Sequence, residues 1–186
     1  MSISQDEKTK NNEAYVKMGA RNEEIYTPII QRLIDPKAKK TKTYYCSTDF
    51  RSYKSNIELK SRTCKSTSYA NTMFGANKLT YAWRGIKEYN KKVFFIFAFT
   101  DGLFKWELNQ ENYDLAGGDS AIYIGGTDER GWDDYKDHFH IPIEQLVKID
   151  DTPCYVPDEL LHKTEWKPKE KITGCHKSLL DKVKGH

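Results

Sequence analysis

Seven consecutive residues, Val93 to Phe99, carry no polar side chain and read VFFIFAF. A strand with one wet face alternates apolar and polar residues. An unbroken apolar run this short marks a strand covered on both faces. A chain of 186 residues has enough material to cover it. One cover is plain just upstream, where residues 76–90 are amphipathic with Leu79, Trp83 and Ile86 on one face. A second helical pattern runs from Glu13 to Ile34, with Met18, Ile25, Ile29 and Leu33 on one stripe. Pro28 falls inside it and predicts either a kink or a new helix with Thr27 as its N-cap.

The remaining pattern is β-rich. TYYCSTDF (43–50) reads as a strand, RSYKS as a turn and residues 56–63 as a second strand, so that the two form a hairpin. Residues 63–75 read as a polar loop. Asp101–Gly102 turns the buried strand into LFKWEL, which alternates cleanly. Residues 109–137 hold two Gly-Gly pairs and little pattern beyond a short strand at AIYI. HFHIPIEQLVKI then gives a last strand running into a short helix or turn. The order predicts an α/β or α+β fold, a small mixed sheet flanked by helices. One domain is expected over 13–150, with a mobile tail at 1–12. An extension at 151–186, with a weak helix near 177–184, packs on or trails that domain.

Composition narrows the setting. Charged residues make up 31% but the net charge is only +3, which permits a nucleic-acid partner without demanding one. No apolar run reaches the length of a membrane span, and the polar start MSISQDEKTKNNEAY is no signal peptide. An intracellular, soluble protein with no membrane partner is expected. Cys46, Cys64, Cys154 and Cys175 form no C-x-x-C pair and read as reduced thiols. Cys154, His162, Cys175 and His176 lack the usual spacing of a zinc site. His138 and His140 share a strand face and read as surface residues. The stretch GGDSAIYIGGTDERGW lacks the Gly-Lys-Ser/Thr ending of a phosphate loop. No Ser-His-Asp or Cys-His signature stands out.

The stretch NIELKSR (56–62) calls for an explanation of its own. Alternation sends Glu58, Lys60 and Arg62 to one side of the strand, and Ile57, Leu59 and Ser61 to the other. The apolar side can pack on a helix. The charged side is either a solvated face with a cross-strand ion pair or the wall of a metal site. Asp49 lies on the partner strand of the hairpin. Two carboxylates on neighbouring strands can chelate one hard cation, and the Leu59 carbonyl between them can add a ligand. Lys60 would stand beside that cation, placed to orient a water or offset charge on a phosphate.

In the order GARNEEIY, STDF, IELKSR the chain resembles the PD-(D/E)XK nuclease superfamily, whose helix with a glutamate precedes a strand with an aspartate and a strand with E-x-K. MGARNEEIY is also similar to the glycine-then-glutamate start of its resolvase branch. The resemblance covers residues from about 15 to 108, and Thr48 stands where the family often has a proline. It implies a restriction-endonuclease-like core and an Mg²⁺- or Mn²⁺-dependent endonuclease that hydrolyses phosphodiester bonds, DNA in preference to RNA. It further implies Asp49 and Glu58 as metal ligands and Lys60 as the catalytic lysine. The first-helix acid is either Glu23 or Glu24. On a helical wheel Glu23 falls beside the apolar stripe and Glu24 opposite it, which favours Glu23. Lys78, opening the second helix, is expected to contact a phosphate. With Lys54, Arg62 and Lys65 it gives a local positive field. Tyr53 and Tyr69 read either as base-stacking platforms or as ordinary tyrosines. Cutting both strands of a duplex would require a homodimer or two encounters. Two rivals remain: a nucleic-acid-binding module that keeps the fold without the chemistry, and a structural or regulatory interaction protein.

Overall fold

The computed structural model describes residues 5–42, 46–124 and 137–164. It is mixed α+β, with one six-stranded sheet, one three-stranded sheet and a few helices. Helix α1 (Gln5–Leu33) leads into three antiparallel strands, β1 (Lys39–Lys40), β2 (Phe50–Arg51) and β3 (Ser55–Ser61). Next come β4 (Asn71–Gly75), α2 (Asn77–Tyr89), β5 (Lys92–Phe99) and β6 (Gly102–Leu108). After α3 (Gln110–Leu115) follow β7 (Ile122–Ile124), β8 (Asp137–Pro142) and β9 (Val147–Asp150). The large sheet runs β1-β2-β3-β5-β6-β9, parallel at β3–β5 and antiparallel elsewhere, and the small one β4-β8-β7.

Strand β5 has the two-sided burial its sequence predicts. Phe94, Ile96 and Ala98 pack toward α1 with Tyr26, Ile30, Ile57 and Leu59. Phe95, Phe97 and Phe99 point the other way, into a core shared by Leu79 of α2 and by Phe74, Phe139 and Ile141 of the small sheet. Phe74 stacks on Phe95 with ring centroids 3.8 Å apart. The second cover is therefore half helix and half sheet.

Several expectations are corrected. Helix α1 begins at Gln5, inside the segment read as a tail, because Ala14 and Met18 pack against Leu160 of the C-terminal segment. Pro28 does not break the helix. Its ring is exposed, and Thr27 is no N-cap; its hydroxyl donates back to the Glu23 carbonyl, 2.6 Å. The buried stripe is Ala14, Met18, Asn22, Tyr26 and Ile30, while Leu33 is 43% exposed. The strand expected at 43–50 shrinks to Phe50–Arg51, residues 43–45 lying outside the described residues. The polar loop at 63–75 contains β4, whose Thr72 and Phe74 face inward. Helix α3 was unsuspected; Asn109 caps it by accepting from the Asn112 N–H, 2.8 Å. His138 and His140 are half-buried, not surface residues, and burial together with His138 holds the His140 imidazole below its usual range. The weak helix near 177–184 and the second Gly-Gly pair lie outside the described residues. Residues 152–155 are tied to α1 by Asn22, which donates to the Tyr155 carbonyl (2.9 Å) and accepts from its N–H (2.8 Å). Among the described residues no helix is long and apolar enough to cross a membrane.

Candidate active site

The site is assembled at the open end of the β2–β3 hairpin. Phe50 pairs with Ile57 and Arg51 with Asn56. One residue earlier, the Asp49 N–H also donates to the Ile57 carbonyl, 3.1 Å. Two residues thus address one across the ladder, as in a β-bulge, which re-aims a side chain. The Asp49 carboxylate turns along the edge of β3 and accepts the Leu59 N–H at 2.7 Å. A strand residue presents its N–H and C=O to the same edge, so the Leu59 carbonyl faces the Asp49 side as well.

Glu58 lies on the opposite face from Ile57 and Leu59, as alternation requires, with its side chain 3% exposed. A carboxylate buried this deeply needs compensating charge. Two ammonium groups supply it: Lys60 Nζ lies 2.6 Å and Lys78 Nζ 3.0 Å from the same oxygen, Oε1. The other oxygen, Oε2, is buried and has no hydrogen-bond partner among the described residues. Burial, reinforced by the Glu58 charge, pushes the Asp49 carboxyl up to about 6; the Lys60 ammonium and the Leu59 N–H oppose this, and Glu23 adds to it. Asp49, Glu58 and Glu23 therefore sit in one electrostatic neighbourhood.

Glu23 is half-buried on α1 and pairs with Lys40 of β1 at 2.8 Å. Glu24 points away and pairs with Arg21 on the exposed surface. Lys78 reaches the site from the first turn of α2 and also donates to the Ser47 carbonyl at 3.0 Å. Arg62 is placed differently from the substrate-facing expectation. Its guanidinium lies over the Phe97 ring, donates to Thr72 Oγ1 at 3.3 Å, and donates to the Met73 carbonyl. It fastens β4 to the large sheet. Lys65 is exposed in the turn where Ser66 is bonded to Asp101. Lys54 lies at the hairpin turn, over the ring of the exposed Tyr53.

Lys40 and the Ser47 carbonyl were not singled out from sequence. Lys40 sat among several lysines of a basic segment, and a backbone carbonyl leaves no mark in a sequence. Cys46, read from sequence only as a reduced thiol, is free and lies in the segment that leads to Asp49. Burial alone would raise its thiol, but hydrogen bonds from Thr48 and Thr41 and the nearby Arg51 hold it below the usual range. Of the zinc reading, Cys175 and His176 lie outside the described residues; Cys154 is buried with Asn22 Nδ2 at 3.2 Å and raised to about 11 by burial, and among the described residues no metal cluster forms around it.

The residues present fit a hard cation in two respects: an orphaned buried carboxylate oxygen and a second carboxylate whose charge is disfavoured beside it. Among the described residues no three His, Cys, Asp or Glu side chains form a ready metal cluster. Magnesium is often held by one or two carboxylates, with water and substrate oxygens completing its shell. No family model matches the chain, and no curated protein or solved structure is significantly similar to it.

Proposed function

We propose that this chain is a metal-dependent endonuclease hydrolysing phosphodiester bonds, DNA in preference to RNA, on a restriction-endonuclease-like core. The observation that carries the reading is Glu58: buried, with one oxygen held by two lysines and the other partnerless, beside the charge-crowded Asp49. The element order supports it. A helix with Glu23 precedes three antiparallel strands, then, after the intervening β4 of the small sheet, a helix and a strand parallel to the E-x-K strand.

Asp49, Glu58 and the Leu59 carbonyl would hold Mg²⁺ or Mn²⁺, with Glu23 reaching it directly or through water. When bound, the cation would polarise the phosphate and acidify a water. Lys60 is 28% exposed and uses one donor on Glu58, leaving donors for a phosphate oxygen. As water attacks phosphorus and the opposite P–O bond breaks, negative charge grows on the equatorial oxygens, where a fixed ammonium stabilises it. Glu23, held by Lys40, can orient the attacking water.

The test is incubation with plasmid DNA, single-stranded DNA and RNA, with and without Mg²⁺ or Mn²⁺. Cleavage that requires the divalent ion and disappears in Lys60→Ala supports the proposal; no cleavage of any substrate by the wild type overturns it. A second reading, a binding module without chemistry, is favoured by the two lysines already neutralising Glu58. It predicts salt-dependent nucleic-acid binding that is indifferent to divalent ions and to Glu58→Gln.

A further inference from the structure

Lys78 occupies a place that helix physics disfavours. It is the second residue of α2, whose first turn has no acidic residue. A cation there opposes the positive end of the helix dipole. Two contacts from other parts of the chain compensate it, the Glu58 carboxylate at 3.0 Å and the Ser47 carbonyl at 3.0 Å. An ammonium has three donors, and two are in use. The side chain is 24% exposed.

Ser47 opens the segment that delivers Asp49. On its other side that segment is held by Thr41, whose hydroxyl donates to the Thr48 carbonyl (2.9 Å) and whose N–H donates to the Asp49 carbonyl (2.8 Å). The segment is therefore gripped from two directions. Among the described residues Lys78 is the side chain with hydrogen-bond or ion-pair contacts both to this segment and to Glu58; Lys60 meets Glu58 but acts on Asp49 only through its charge.

We infer that Lys78 is a positioning residue: it clasps the Ser47–Asp49 segment to Glu58 and so fixes the separation of the two carboxylates, rather than gripping substrate phosphate. Its consequence for turnover rests on the nuclease reading; its consequence for the structure does not. The Leu59 N–H is bonded to Asp49 Oδ2 only while the segment stays in place. That bond should keep the Leu59 amide slow to exchange in the wild type; with the clasp cut, it should exchange faster.

The experiment is residue-resolved amide exchange on wild type, Lys78→Met, Lys78→Arg and Lys60→Met, read at Leu59 and at Phe95 in the centre of the sheet. Lys78→Met should speed exchange at Leu59 about tenfold or more while Phe95 stays protected. Lys60→Met should leave Leu59 protected, and Lys78→Arg, which keeps a cation and forked donors, should largely restore it. Cleavage kinetics form the second arm. Lys78→Met should lower kcat by on the order of tenfold to a hundredfold, as a misplaced catalytic group does, with KM and the salt dependence of binding unchanged. Unchanged Leu59 exchange in Lys78→Met overturns the clasp, as does a salt slope reduced by about one unit, the mark of a lost phosphate contact. Should Lys78→Met fail to fold, Lys78→Gln, which also removes the cation, takes its place, and wild-type protection of Leu59 in that protein overturns the clasp equally. Faster Leu59 exchange in a protein whose wild type cuts nothing upholds the clasp and refutes the nuclease reading alone.

Discussion

At its turn, the β2–β3 hairpin buries Asp35; at its open end it half-buries Asp49 and buries Glu58. Asp35 accepts from the hydroxyls of Ser52 and Ser55, the latter at 2.6 Å, and from the Lys37 N–H at 2.9 Å. Burial would raise its pKa, but these donors and the nearby Lys54 ammonium hold it below the usual range. At the open end the charges crowd. Among the described residues Asp49 has a neutral donor, the Leu59 N–H, and an acidic neighbour, and Glu58 Oε2 has no hydrogen-bond partner. Neutral hydroxyls at the turn satisfy a charge at little cost and lock a chain reversal. Lysines and carboxylates at the open end leave a site short of one partner. Such under-satisfaction costs stability and is tolerated where a ligand completes it.

The sharpest way to break this contrast is to remove single groups at the open end. Lys60→Ala should slow cleavage by on the order of a hundredfold or more while Mn²⁺ binding survives, because an ammonium is no ligand. Glu58→Ala should lose both, and calorimetric titration with Mn²⁺ separates the two variants. Equal metal affinity in both would make the open end a plain ion-pair network.

At the turn the expected effect falls on stability instead. Asp35→Ala strands two serine hydroxyls and an N–H, and should cost about 2–4 kcal/mol in denaturant unfolding. Cleavage by the folded fraction should be unchanged.

The two ends should also titrate in opposite senses. An unfolded aspartate ionises near about 3.9. Folded Asp35 ionises lower, so its contribution is present above that value and lost as pH falls below it. Folded Asp49 ionises at about 6, so the metal-free protein holds a proton the unfolded chain has released. Its contribution is complete below about pH 4 and lost as pH rises through about 6. Asp49→Asn should therefore abolish metal-dependent cleavage yet stabilise the metal-free protein by about 1–2 kcal/mol at pH 8, with no gain at pH 4. Thermal melts across that range check the sign.

The smallest effects concern the flanking cations. Arg62→Ala should lower stability by about 1–2 kcal/mol through the loss of its β4 contacts, and leave the salt dependence of nucleic-acid binding unchanged. Lys65→Ala should leave stability within about 0.5 kcal/mol and flatten the salt slope by about one unit if it meets a phosphate.

Much of this was legible because the signals are local. The run VFFIFAF predicts a strand covered twice over, and β5 is one. Alternation in IELK separates Glu58 and Lys60 from Ile57 and Leu59, and the turn at RSYKS makes the hairpin. The strand at 43–50 was overextended because aromatic and β-branched residues raise β propensity whether or not a partner strand is in reach. Of the small sheet, AIYI and HFHIPI read as strands and form β7 and β8, but β4 was missed because it is five residues long and finds its partner, β8, more than sixty positions away.

What the sequence by itself determined is which side chains can share a face: period two in β3 and period 3.6 in α1 and α2 follow from backbone geometry alone. What only the tertiary structure decided is which faces meet. Lys78 reaches Glu58 because the chain crosses from β3 through α2 to a parallel β5, and Arg62 is spent on β4 because β4 lies beside it. Such contacts depend on packing two layers against one strand, and no periodicity along the chain encodes the distance between residues that packing brings together.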